Sequence, residues 1–461
     1  MSYVYALLIG LTLGHFLLGL PIQYSDSFGQ MLKLSASWRD LLYSEFTQQG
    51  FLRPLDWGLM KLVYDLSGGN YFAWFRGAHV VQVVALSLLF VALVRPRTLQ
   101  DAALLPLGLA VLVGAHTFQG TIVEAFPINH FMQLLLYCLA AAILVLRSYS
   151  RWNDLAAGLL FVAAALTIES GLLVWVILVG GVLVGGTGIS RRGVGAVCVL
   201  LVAYFVVRFP ILDVGSPGLM ERSSGFGFSI LEPPALMERF ASNPVPFYVY
   251  NVVSSILSVL FSEPQGGVFR LTRRVLDGDL TLARLATPLA SAAATLLIGA
   301  FIWRRRHAWI RREFTRDDQL VALFVMVLGA NAVISYPYVK DVVMSPAGAF
   351  FAAAAYVAAR HAIASLPGTM SPPRLAMVTA FFALTGIAWA TQAVSAHVDL
   401  RRAAYAERNE WVYLESPTGL LGAGLTDDEA ALFRQLREDA IFVHPAPPPL
   451  DFPLQSLLDQ E

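Results

Sequence analysis

Long apolar segments, repeated along most of the chain, constrain this sequence more than any other feature. A helix of about 17 to 22 apolar residues matches the ~30 Å hydrocarbon core of a bilayer. Such segments lie near residues 3–20, 78–94, 101–116, 129–146, 153–168, 171–187, 193–210, 283–303, 319–336, 345–364 and 374–393. Only 14% of the 461 residues are charged, against about 25% in a typical soluble protein. The sequence therefore predicts an all-α polytopic membrane protein with about eleven transmembrane helices.

The arginines predict the orientation of these helices, because cytoplasmic loops of membrane proteins are enriched in Lys and Arg. If residues 211–282 stay outside, one side of the membrane receives Arg95, Arg97, Arg147, Arg151, Arg191, Arg192, Arg304, Arg305, Arg306, Arg311, Arg312, Arg316, Arg360 and Arg374. We expect a cytoplasmic N-terminus and an extracytoplasmic C-terminal tail. The abundance of Ala, Leu, Val and Arg, with little Lys, favours a bacterial inner membrane.

The domain organisation follows from where the apolar segments stop. Residues 1–393 are expected to form the membrane module, and residues 394–461 a small extracytoplasmic tail. The aromatic first outer loop, residues 21–77, predicts interfacial helices near 35–46 and 54–66. A second outer loop, residues 211–282, contains the apolar segment 247–262, which fits a short span or a helix at the outer interface. The charge rule favours the interfacial helix, because a span there would move the later arginines to the other side.

Four acids lie at predicted outer ends of spans and are candidates for proton transfer: Asp26, Glu124, Glu169 and Asp341. A carboxylate partly shielded from water can be tuned to act as a general base. Asp26 and Glu124 fit solvated loop acids equally well. For Glu169 the structural interpretation is favoured, because it can satisfy backbone donors where a helix begins.

Two basic residues on the same side, Arg53 and Lys340, are candidates for binding a phosphate at the membrane surface. Arg53 could instead pair with Asp56 or another loop acid, and Lys340 with Asp341. The histidines lack metal-ligand spacing, and a phosphate-binding glycine loop is missing. No cofactor is therefore indicated, a divalent metal stays undecided, and the zero net charge gives no case for nucleic acid.

Several motifs, taken in their order along the chain, resemble those of the GT-C superfamily of membrane glycosyltransferases. The resemblance is greatest to its protein O-mannosyltransferase and tetratricopeptide-repeat transferase branch. The similar segments are Asp26 after the first span, Phe51-Leu-Arg-Pro-Leu55, Tyr71 to His79, Val123-Glu124, Ile168-Glu-Ser-Gly171 and Tyr336 to Pro346. They cover roughly residues 1–185 and, more loosely, 319–364. The sequence departs from that family at Ser27, where a second acid is common, at Ile168, where a Lys is usual, and in showing no repeat domain.

The resemblance implies a GT-C-like bundle and an inverting transfer of sugar from a polyprenyl-phosphate donor to a glycan, lipid or protein acceptor. It implies catalytic roles for Asp26 and Glu124. It also implies that Arg53, Lys340, His79 and Tyr338 bind the lipid phosphate.

Two other classes of function remain open at this point. A transporter or flippase of a lipid-linked glycan would favour charged residues within spans and two related halves. In a non-catalytic membrane assembly factor, the outer acids would be structural.

Overall fold

The described part of the chain is almost entirely helical. The computed structural model describes residues 2–47, 52–213, 224–226, 229–231, 233–262, 268–278, 282–336, 341–367, 371–413 and 425–444. The helices are α1 (Ser2–Leu17), α2 (Ser25–Leu34), α3 (Trp38–Thr47), α4 (Pro54–Ser67), α5 (Tyr71–Val94), α6 (Leu99–Gly114), α7 (His116–Val123), α8 (His130–Val145), α9 (Arg151–Ala165), α10 (Leu173–Leu183), α11 (Arg191–Val206), α12 (Pro233–Phe240), α13 (Val245–Phe261), α14 (Val268–Leu276), α15 (Leu282–Ile310), α16 (Arg316–Ile334), α17 (Ser345–Ala364), α18 (Pro372–Tyr413) and α19 (Asp427–Val443). Shorter elements are the 3-10 turns Glu169–Leu172 and Asp341–Met344, the π-helical turn Val207–Ile211 and an antiparallel hairpin of Ser224–Phe226 with Ser229–Leu231.

Helix length and composition confirm an all-α membrane protein but not eleven spans. Six helical segments are long and apolar enough to cross a membrane: Tyr71–Val94, Arg191–Ile211, Leu285–Ile310, Arg316–Ile334, Asp341–Ala364 and Pro372–Tyr413. Helices α6 and α7 add a seventh if they form one span bent by 61°. Each of the other predicted spans coincides with a helix in the described chain, but these helices are shorter.

Small side chains allow the helices to pack closely around α17. Every residue of this helix from Ser345 to Ala359 is buried, and most are alanine. Helices α6, α15 and α16 surround it. Helix α10 also packs closely at Gly181, where a Cβ would lie 2.5 Å from Val145 Cγ1. Small residues at these positions therefore allow the helix backbones to approach closely.

A second core lies beyond the end of α1 and includes the last turns of α18. Helix α18 is 42 residues long, about 63 Å at 1.5 Å per residue, which is twice what a bilayer core requires. Its last turns bring Trp411 into an apolar cluster with residues of α2, α4 and α19, among them Phe28 and Phe433. The segment 394–413 therefore belongs to the helix that leaves the bundle, and α19 docks onto the first loop.

Within that loop, the two predicted interfacial helices correspond to α3 and α4, while α2 was not predicted. The segment 247–262 is helical, as expected, and forms α13. It packs against α15, α16 and α17, with Asn251, Ser254 and Ser258 buried. Asn251 Nδ2 donates to the carbonyl of Tyr336 at 2.9 Å. This helix is therefore integrated into the bundle along one face.

Candidate functional site

The two ends of the bundle differ in charge, and the predicted site residues can be described by the end at which they lie. At one end, which we call the arginine end, Arg316 donates to the carbonyl oxygens of Leu146 (2.5 Å) and Leu93 (3.2 Å). Arg360 pairs there with Asp317. Helices α5, α8 and α17 lead from this end to the other. The predicted clustering of these arginines at one end is thus present.

The opposite end, which we call the acidic end, begins where the first loop meets the segment after α7. The backbone N–H of Gln23 donates to the carbonyl of Ala125 at 3.2 Å. Asp26 lies three residues after Gln23, and Glu124 directly precedes Ala125. Asp26 is exposed in the first turn of α2, and Glu124 is partly buried at the end of α7.

Helix α2 receives its capping groups from a distant part of the chain. Its N-cap residue, Tyr24, makes no side-chain capping bond within the described structure. Two acids of α18 take that place: Glu407 faces the backbone N–H of Tyr24, and Glu410 faces those of Tyr24 and Ser25. A carboxylate is favourable there, because the first N–H groups of a helix are unsatisfied and carry partial positive charge.

These glutamates connect Asp26 and Glu124 electrostatically. Glu410 lies close enough to Asp26 for their charges to repel, and it is close enough to Glu407 for a hydrogen bond. Glu407 in turn lies close enough to Glu124 for their charges to repel. Two carboxyl groups can hydrogen bond to each other only if one carries a proton. The buried Oε2 of Glu407 has no hydrogen-bond donor among the described residues. A proton shared between Glu407 and Glu410 would satisfy both side chains, so this pair is a candidate for proton uptake next to Asp26.

Arg76 fixes the backbone beneath this cluster. Its side chain is fully buried and donates to the carbonyl oxygens of Leu20 (2.5 Å), Pro21 (2.8 Å) and Ala125 (3.0 Å). The same guanidinium is close enough to Glu407 to attract its charge. Arg76 thus ties the segment that carries Asp26 to the segment that carries Glu124.

A second charged cluster contains Arg53 and Glu169, which form a bidentate ion pair. Arg53 Nη2 lies 2.5 Å from Glu169 Oε2, and Arg53 Nε lies 3.2 Å from both carboxylate oxygens. Arg208 Nη1 approaches Glu169 Oε1 at 3.6 Å and donates to Tyr204 Oη at 2.8 Å. Burial alone would raise the pKa of Glu169, but the Arg53 guanidinium holds it below its ordinary value. Two guanidinium groups thus share one carboxylate.

This result decides between the alternatives open for Arg53 and Glu169. Arg53 pairs with a loop acid, Glu169. Glu169 also faces its own backbone N–H, as expected for an acid where a helix begins. Asp56 lies with its Oδ2 3.8 Å from His130 Nδ1. His130 in turn stacks on Phe126, two residues after Glu124, so a chain of contacts through Asp56, His130 and Phe126 leads from one cluster toward the other.

The remaining predicted residues have different positions. His79 is fully buried, and its ring lies between Arg76 Nη1 (2.8 Å) and the backbone N–H of Asn129 (2.9 Å). It therefore has no direct access to a phosphate, which corrects its expected binding role to one of positioning. Asp341 Oδ1 lies 3.4 Å from His116 Nε2, next to α7. Lys340 and Tyr338 lie outside the described residues.

Sequence reasoning missed Glu407, Glu410, Arg76 and Arg208. The first two are three residues apart on a helix and thus share a face, but their charged surroundings were interpreted as a solvated tail. In the described ranges, no three His, Cys, Asp or Glu residues are grouped so as to hold a metal ion. No family model, curated protein or solved structure matches the chain.

Proposed function

We propose that this protein transfers a sugar from a polyprenyl-phosphate donor to an acceptor hydroxyl at the acidic end of the bundle. The observation that carries the proposal is the pair of clusters of opposite character. One is formed by Asp26, Glu124, Glu407 and Glu410, and the other by two arginines that share Glu169. Together they supply a group that accepts a proton and groups that stabilise a leaving phosphate.

In this mechanism Asp26 removes the proton from the acceptor hydroxyl as its oxygen attacks the anomeric carbon of the sugar. The bond between that carbon and the phosphate oxygen breaks, and the electron pair leaves with the polyprenyl phosphate. A single displacement of this kind inverts the anomeric configuration. Asp26 is exposed and so can reach an acceptor, while the adjoining Glu410 can take up the proton and pass it toward Glu407.

Negative charge develops on the phosphate as the sugar departs, and fixed cations stabilise it best where water is partly excluded. Arg53 and Arg208 fit this role because their side chains are only 22% and 6% exposed. Glu169 orients the Arg53 fork. The buried Nε of Arg208 has no acceptor among the described residues, so it remains available to a phosphate oxygen.

We infer that the acidic end faces the periplasm and the arginine end the cytoplasm of a bacterial inner membrane. The inference is supported by the gathering of Arg95, Arg97, Arg316 and Arg360 at one end, as the distribution of basic residues across membranes requires. With the shorter apolar helices counted as spans, the bundle would cross the membrane about eleven times.

The test is release of polyprenyl phosphate by the purified protein in nanodiscs. The donors are polyprenyl-phosphate mannose, glucose and galactose, each offered with a glycan, a lipid-linked glycan and a Ser/Thr-containing peptide as acceptors, and the released polyprenyl phosphate is quantified by mass spectrometry. The wild type should release polyprenyl phosphate from at least one donor, and Asp26→Asn should lower the rate by about 10²–10⁴-fold, the usual contribution of a general base.

Asp40→Asn is the matched control, because Asp40 is an exposed acid in the first turn of α3 on the same loop. It should release the product at the wild-type rate. If none of the donors is cleaved, or if Asp26→Asn cleaves as fast as the wild type, the proposal is wrong. Movement of an intact donor across the bilayer without cleavage would indicate a flippase instead.

A further inference from the structure

The arginine end contains a cavity that the proposed transfer does not use. It has a volume of about 520 Å³, within the ~300–1,000 Å³ range of ligand sites. It is lined by the arginines Arg95, Arg97, Arg305, Arg316 and Arg360. Two aspartates, Asp101 and Asp317, also face it. The cavity lies between the ends of α5 and α17 and the beginnings of α6 and α16.

Some of these arginines are already neutralised by carboxylates. Arg305 forms a bidentate pair with the fully buried Asp318, at 3.0 Å and 2.7 Å. Asp318 also accepts hydrogen bonds from Thr315 and Trp309, so both oxygens of its carboxylate already have donors. Arg360 pairs with Asp317 and lies 3.8 Å from Asp101. These pairs form the wall of the cavity and hold its shape.

Three other arginines form no ion pair within the described residues: Arg95, Arg97 and Arg316. The Nη groups of Arg316 bind neutral carbonyl oxygens, and its buried Nε has no acceptor in the same part of the chain. Arg95, Arg97 and Arg360 lie close enough to repel the Arg316 guanidinium, while Asp317 is the one carboxylate named as attracting it. Like charges gathered in a half-enclosed space are costly, and a bound anion would remove that cost.

We propose that this cavity binds a phosphate-bearing anion, held chiefly by Arg95, Arg97 and Arg316. Guanidinium forks match phosphate oxygens and bind them through paired, charge-assisted hydrogen bonds. A neighbouring cavity of about 360 Å³ shares Arg95 and Arg97 and is bordered by Tyr3 of α1. The outward face of α1 is apolar, with Val4, Leu8 and Leu11 exposed. The site is thus open to the headgroup of an anionic phospholipid as well as to a soluble phosphate.

The experiment is a ligand titration of the full-length protein in detergent, followed by native mass spectrometry and by the unfolding temperature. The probes are dioleoyl phosphatidylglycerol, the zwitterionic dioleoyl phosphatidylcholine and inorganic pyrophosphate at matched ionic strength. The wild type should bind an anionic probe in preference to phosphatidylcholine. If phosphatidylglycerol binds and pyrophosphate does not, the ligand is a lipid headgroup. The reverse identifies a soluble phosphate, and either result supports the site.

The deciding variant is R95Q/R97Q, which removes two exposed charges and should leave the fold unchanged. Its dissociation constant should rise about 30-fold, since each basic residue near a phosphate surface is worth roughly fivefold in affinity. The matched control is R191Q/R192Q, an equally exposed pair where α11 begins, which does not line the cavity. Equal weakening in both variants, wild-type affinity in R95Q/R97Q, or no preference for anionic probes would each overturn the proposal. The inference is independent of the proposed transferase activity, because the cavity lies at the opposite end of the bundle.

Discussion

Trp411 offers the sharpest test of how the C-terminal part of the chain builds the acidic end. Its side chain is fully buried, and its ring lies 5.1 Å from that of Tyr24 and 5.4 Å from that of Phe433. The indole N–H donates to the carbonyl of Ile22 at 2.6 Å. One residue thus joins α18, the first loop and α19; it directly follows Glu410 and lies one turn beyond Glu407.

Replacing this tryptophan by alanine should cost about 3–5 kcal/mol, the range for a fully buried Trp. About 1 kcal/mol of that amount is the hydrogen bond, and leaving the Ile22 carbonyl unpaired is part of the cost. Trp411→Phe keeps most of the ring contacts and loses only the donor. We therefore expect about 1–2 kcal/mol for Trp411→Phe, so the two variants form a graded pair.

The assay is amide hydrogen exchange, because this layer can open without unfolding the bundle. Every 1.4 kcal/mol changes an opening equilibrium tenfold. Peptides from α2 and α19 should therefore exchange about a thousandfold faster in Trp411→Ala and about tenfold faster in Trp411→Phe. Peptides from α17 serve as the internal control and should exchange at the wild-type rate. Release of polyprenyl phosphate should fall together with protection of α2.

Two outcomes would refute this reasoning. If Trp411→Ala leaves α2 and α19 fully protected, Trp411 does not hold the C-terminal helix against the first loop. If α17 loses protection to the same extent, the residue stabilises the whole bundle rather than a separate layer. In the second case, a loss of activity would say nothing about the acidic end.

Further predictions concern the two charged clusters. Arg53→Gln should raise the KM for the donor about tenfold or more with a smaller change in kcat, and should lower stability by about 2 kcal/mol because charge-assisted hydrogen bonds are lost. Since the folded pKa of Glu169 lies below its ordinary value of 4.5, the ion pair stabilises fully above pH 4.5 and is lost as pH falls further. The difference in unfolding temperature between wild type and Arg53→Gln should thus shrink between pH 6 and pH 3, and a constant or growing difference would contradict the pairing. Glu407→Gln should fold normally and shift the pH–rate profile, whereas an unchanged profile would remove Glu407 from the proton path.

Much of the architecture was predictable because it depends on local patterns. The apolar segments coincide with helices, the capping box at Thr426 starts α19, and the glycine pair at 180–181 lies at a close helix contact. These features follow from the sequence over about twenty residues at most. The number of membrane spans could not be predicted in this way. The described helices include six or seven that are long enough to span a membrane, against about eleven predicted, because several apolar stretches are divided by turns and by the bend after Gly114.

The site was predictable only in part, for a related reason. Asp26, Glu124, Arg53 and Glu169 were identified from their places at the ends of apolar segments, and all four lie at the acidic end. Their partners could not be identified, because these come from remote parts of the chain. Arg208 reaches Glu169 through a π-helical turn that shifts the register after α11. His79 was predicted to bind the lipid phosphate, since a sequence does not show that Arg76 and Asn129 enclose its ring.

By itself, the sequence determined that the chain is a helical membrane protein with acids at one set of helix ends and arginines at the other. Apolar length and the placement of charge relative to it are properties of short segments, which is why they could be predicted. Only the tertiary structure decided that the C-terminal half of α18 leaves the bundle and brings Glu407 and Glu410 to the start of α2. That arrangement depends on contacts between residues almost four hundred positions apart, such as Trp411 with Ile22. Such a contact is fixed by the packing of several helices together and by no local pattern.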